Sequence, residues 1–92
     1  MQNALQLNLF PEVIESAQLV VQNSPRGTFY RIWIEQNVGI YSVCKESGTK
    51  GKVLDRRCWP VENFDQAEML FKKIVKEKTD LNRKSPRKYR LA

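Results

Sequence analysis

Chemistry in this 92-residue chain has to be done without histidine, so acid–base work would fall to aspartate, glutamate, lysine, tyrosine or cysteine. Cys44 and Cys58 are the two thiols, and no imidazole exists to activate either in the usual way. Two cysteines without histidine are also too few soft ligands for a zinc site. Glu12 with Glu15, and Asp65 with Glu68, are carboxylate pairs at short spacing. The second pair already serves a helix start. These residues lead us to expect no enzymatic activity, no metal, no cofactor and no small-molecule substrate.

Cations are the more promising groups. Gly48-Thr49-Lys50-Gly51-Lys52 faintly resembles a phosphate-binding loop, but lacks the four-residue spacing, the Gly-Lys-Ser/Thr ending and a following helix. A basic turn whose N–H groups and lysines meet a phosphate backbone is the reading left open beside a plain turn. The formal charge is +6 and unevenly placed. Residues 71–92 hold nine basic and two acidic side chains, whereas residues 1–47 hold three and four. That asymmetry suggests a polyanionic partner. In the tail, Arg83, Lys84, Arg87, Lys88 and Arg90 surround Tyr89, which could stack on a base or pack against a sheet. Arg56 and Arg57 precede Trp59 on a strand, and alternation puts only Arg57 on the tryptophan's side.

The elements that must position these groups are legible in part. Ala67, Leu70, Phe71, Ile74 and Val75 form one apolar stripe of a helix over 63–79. Asn63 and Gln66 have the form of a capping box, and Asp65 and Lys76/Lys78 suit the helix dipole. Leu5, Leu7 and Leu9 alternate as in a half-buried strand that Phe10-Pro11 ends, and Pro11–Ser16 is open between a short helical turn and a loop. Strands are expected at 17–22, 28–35, 40–45 and 53–59, separated by turns at 23–27 and 36–39 and a loop at 46–52. Pro60 stops the last of them, and Lys88–Leu91 could add an edge strand. Tyr30, Ile32 and Ile34 share one face of the second strand, with Phe29, Arg31 and Trp33 on the other. Trp33 is expected in the core. Trp59 is left between core and edge.

The expected fold is therefore α+β: a twisted antiparallel sheet of about four to six strands with one helix packed on it. The domain is a single one over 1–92, with an extension at 1–16, strands at 17–62, the helix at 63–79 and a basic tail or edge strand at 80–92. No apolar run approaches the ~20 residues that span a bilayer, and the first residues lack the pattern of a signal peptide. We therefore expect a cytoplasmic protein without membrane contact. In that setting Cys44 and Cys58, which could meet across the sheet, are expected as thiols, with a disulfide the lesser alternative.

From about residue 17 to 91 the order of features resembles a WGR domain, the module named for its Trp-Gly-Arg signature. Thr28-Phe29-Tyr30-Arg31-Ile32-Trp33 is similar to the family's Lys-Phe-Tyr-Arg-like strand, and Gly48-Thr49-Lys50-Gly51-Lys52 to its Gly-Thr-x-Gly-Gln. The helix running to Lys76-Glu77-Lys78-Thr79 and the closing Tyr89 also match in order. The signature is missing: Ser47, Gly48 and Thr49 stand in its positions, or Cys44, Lys45 and Glu46 in a second register. In the polymerases that carry the domain, the signature is associated with DNA-end contacts and with signalling to the catalytic domain. The charge at the carboxyl end, together with the resemblance in the order of elements, leads us to expect a non-catalytic module binding DNA or another nucleic acid through Lys50, Lys52, Arg57, Arg83, Lys84, Arg87, Lys88 and Arg90. The alternative is a protein-interaction adaptor that has lost the DNA contact.

Overall fold

A computed structural model describes residues 11–21, 24–80 and 89–92. Glu12–Val21 forms β1, Phe29–Asn37 β2, Ile40–Thr49 β3, Lys52–Val61 β4, Phe64–Thr79 helix α1 and Tyr89–Leu91 β5. All five strands pair antiparallel in the order β4-β3-β2-β1-β5, and the helix lies on one face. This is an α+β fold with the aromatic strand β2 at its centre, as the two-faced pattern of 28–35 requires.

Alternation along β2 assigns the faces. Tyr30, Ile32 and Ile34 meet Leu19 and Ala17 of β1 and Val43 of β3 on the helix side, where Ala67 and Phe71 close the core. Leu19, Ile32, Ile34 and Val43 are wholly buried, each worth roughly 1.5–3 kcal/mol of apolar transfer. Tyr89 packs edge-on against Tyr30 with ring centroids 5.7 Å apart, so β5 closes the core as a short edge strand. The Asn63 carboxamide oxygen accepts the Gln66 N–H at 2.9 Å. The return arm of the cap shifts by one residue, because the Gln66 side chain accepts from the Glu62 N–H.

Four expectations are corrected. Residues 12–16 are strand, so the extension reading of 1–16 fails from Glu12 onward. The loop expected at 46–52 is strand up to Thr49, and only Lys50-Gly51 turns. Pro60 lies within β4 rather than ending it, tolerable because β4 is an edge strand. Trp33 is half-buried on the face away from the helix, where its Nε1–H donates to Glu35 at 2.9 Å. The Leu5–Leu9 strand expectation lies outside the described residues.

The thiol expectation is also corrected: Cys44 and Cys58 face each other across β3 and β4 and form a disulfide. Register brings their Cα atoms to 4.0 Å, the close approach of directly opposed residues. The bond closes a loop of about 15 residues that a hairpin already holds together. Reduction is therefore expected to remove no more than about 3 kcal/mol from the urea-unfolding free energy while the far-ultraviolet circular dichroism stays unchanged. Loss of strand signal would contradict this.

Val38 and Gly39 form the two-residue β2–β3 turn, both with positive φ (53° and 76°). Such a turn suits Asn-Gly, whereas a β-branched residue there costs about 1–2 kcal/mol. Val38→Asn is expected to stabilise the protein by ~1 kcal/mol and raise Tm by roughly 4–8 °C, measured by calorimetry.

Candidate nucleic-acid interface

Two tight turns meet at one end of the sheet. The Gly27 N–H donates to the Ser24 carbonyl at 3.1 Å, and the Ser24 hydroxyl donates to Thr28 Oγ1 at 3.0 Å. The Lys50 N–H then donates to the Arg26 carbonyl at 2.7 Å, joining this turn to the β3–β4 turn. Gly27 is at φ 64°, and a Cβ there would stand 3.1 Å from Lys50 Cβ. Gly51 supplies the positive φ of its own turn. The exposed side chains of Arg26, Lys50 and Lys52 are thereby gathered at a single edge.

Gly48 shows why this end can close. A Cβ on it would come within 2.0 Å of the Lys52 carbonyl oxygen, so only glycine fits between the strands. The neighbouring cleft, about 260 Å³, is lined by the hydroxyl residues Thr28, Ser47 and Thr49, by Arg26 and by Phe29, Leu54 and Tyr89. Ser47, Gly48 and Thr49, the positions that replace the Trp-Gly-Arg signature, therefore wall a small polar cleft.

Further cations stand on the helix side. Lys78 lies 4.7 Å from the Tyr30 ring centroid and 5.8 Å from that of Tyr89. Lys45 is ion-paired with Asp55, and this hydrogen bond, followed by the lysine's charge, holds the Asp55 carboxyl below its usual range. Arg57 sits over Trp59 at 6.0 Å on edge strand β4, on the tryptophan's side as alternation requires.

The expected set is therefore divided. Lys50 and Lys52 come together, and Arg57 lies on the same strand roughly 17 Å from Lys52. Arg90 pairs with Val20 on β5 and points to the face opposite Tyr89. Arg83, Lys84, Arg87 and Lys88 lie outside the described residues. Arg26, Lys45 and Lys78 were missed: the meeting of two turns brings Arg26 to Lys50, and packing brings Lys78 and Lys45 to Tyr30. On the other face Arg31 and Arg56 flank Glu46 at 3.1 and 3.8 Å, which cancels much of their field.

No family model matches the chain, and no curated protein or solved structure matches it either. Among the described residues no helix is long and apolar enough to cross a membrane.

Burial, with Tyr89 and Asp55 nearby, pushes the Tyr30 phenol up to about 12 from its ordinary 10. A raised phenol stabilises the fold while neutral: the contribution is complete below pH 10 and is lost as pH climbs through 12. Urea midpoints of wild type are expected to fall more steeply between pH 10 and 12 than those of Tyr30→Phe. Equal slopes would show that Tyr30 does not titrate in the fold.

Proposed function

We propose that this chain is a non-catalytic, WGR-like module that binds nucleic acid, most simply duplex DNA, through phosphate contacts. The observation that carries the reading is the meeting of two turns that presents Arg26, Lys50 and Lys52 together beside a hydroxyl-lined cleft. Lys78 and Arg57 extend the positive field along the helix side. Arg83, Lys84, Arg87, Lys88 and Arg90 enter the proposal through the sequence asymmetry. Cationic side chains without a set of base-reading donors give phosphate grip rather than sequence recognition. Affinity then comes from counterion release and falls steeply with salt. The cytoplasmic setting belongs to the same proposal.

The test is fluorescence anisotropy with a short labelled duplex across a salt series. Replacing Arg26, Lys50 and Lys52 together by glutamine is expected to weaken binding on the order of 100-fold at low salt. The log–log salt slope should shrink by about 3, close to one per lost phosphate contact. Arg31→Gln, which removes an arginine already paired with Glu46, is expected to change little. Equal loss from both variants, or no binding by wild type at low salt, would sink the reading.

A further inference from the structure

Among the described residues, one end of the sheet carries carboxylates and no cation. At the end opposite Lys50 stand Glu12, Glu15, Glu35, Glu62 and Asp65, and no lysine or arginine occurs among residues 11–17, 34–43 and 59–66. β1 begins there, β4 ends there, and the β2–β3 turn projects from it, with Glu12 opposite Gln36 and Val61 opposite Tyr41. The molecule is 50 Å long, so the acidic and basic ends are well beyond a Debye length apart.

The acidic end is also apolar at its tip. Val38 is 66% and Ile40 60% exposed, with Val13 and Ile14 open on the neighbouring strand. Val38 is at the same time the wrong residue for its backbone, a β-branched side chain at φ 53° in a turn that asparagine would fit without strain. Exposure and strain are independent observations. An apolar group held in water at a conformational cost is explained by a contact made outside the chain.

We propose that the occupant which meets this tip is the basic end of a second copy of the chain. The cleft there has the complementary features: about 260 Å³, enough for a branched aliphatic side chain, with Phe29, Leu54 and Tyr89 in its wall. Arg26 lines it and Lys50 and Lys52 flank it, opposite in sign to the carboxylates at the same end of the sheet as Val38. The tip and the cleft lie at opposite ends of one molecule, so the contact is head-to-tail and each copy keeps a free tip and a free cleft. Such an interface builds open chains rather than a closed dimer. Its small area makes it weak, and its charge makes it sensitive to salt. The proposal goes beyond nucleic-acid binding and is tested in its absence.

The experiment is sedimentation of the full chain from micromolar to millimolar concentration, at low and high salt. Wild type is expected to grow in average mass with concentration, without a plateau at two copies, and to return to monomer at high salt. Val38→Asn should fold at least as well, which calorimetry checks, yet associate on the order of tenfold more weakly or worse. Leu54→Asp, a change at an exposed residue that puts a carboxylate into the cleft, should likewise stay monomeric. Mixed, these two variants should form a complex that stops at two copies, since one retains a live cleft and the other a live tip. If Leu54→Asp fails to fold, Arg26→Glu takes its place in the mixture. Monomeric wild type throughout, association unaffected by Val38→Asn, or a mixture that stays monomeric would each overturn the proposal.

Discussion

The contact of Ala67 and Phe71 with Tyr30, Ile32, Ile34 and Val43 is the constraint on which the rest of the structure depends. It selects one face of the sheet for burial, and the two-residue period then assigns every other strand side chain. Leu19, Tyr89 and Trp59 fall on the covered side, and Phe29, Arg31, Trp33 and the Cys44–Cys58 bond on the open one. A slip of one residue in β2 would exchange these sets. The helix could then not be covered, because Arg31 and Glu35 would face its stripe.

That assignment also sorts charge. β3 and β4 run beyond the last turn of the helix, and their connecting turn carries Lys50 and Lys52 to meet Arg26. Arginines on the open face are used differently: Arg31 stacks near Phe29 and Arg56 near Trp33, while Glu46 lies between them. Two groups of cations thus have different electrostatic roles, set by which side of a strand they occupy. The exposed edge β4 carries Lys52, Arg56, Arg57 and Pro60, and Leu54 is an extra residue in its pairing with β3. Charge, proline and a bulge all discourage pairing of that edge with another strand. A contact between copies at the two ends of the sheet requires no strand pairing along that edge.

Much of the fold was legible from residues 17–79. The helix stripe, its Asn63 cap, the two faces of β2 and the Asn37-Val38-Gly39 turn all depend on neighbours within a few positions, where period and turn chemistry act directly. The orientation of Arg57 followed from alternation, whereas Tyr89 was open between stacking on a base and packing on the sheet until Tyr30 was found against it. Errors occurred where a local signal met a long-range one. The glycines at 48 and 51 look like a loop, yet Gly48 is a strand residue required by the closeness of the Lys52 carbonyl. Trp33 looks like core because tryptophan is apolar, yet its face is decided by the parity of its position relative to Ile32 and Ile34.

What the chain determined by itself was therefore the elements, their amphipathic faces, the lack of a histidine-based chemistry and the +6 charge. Tertiary structure decided which face the helix covers, that Cys44 opposes Cys58, and that Arg26 joins Lys50. It also decided that one end of the sheet carries carboxylates and no cation, while Arg26, Lys50 and Lys52 stand at the other. The reason is physical: helix and strand periods are properties of consecutive residues, whereas register and the meeting of turns come from one global choice of burial. That choice is made between residues such as Tyr30 and Phe71, forty-one positions apart.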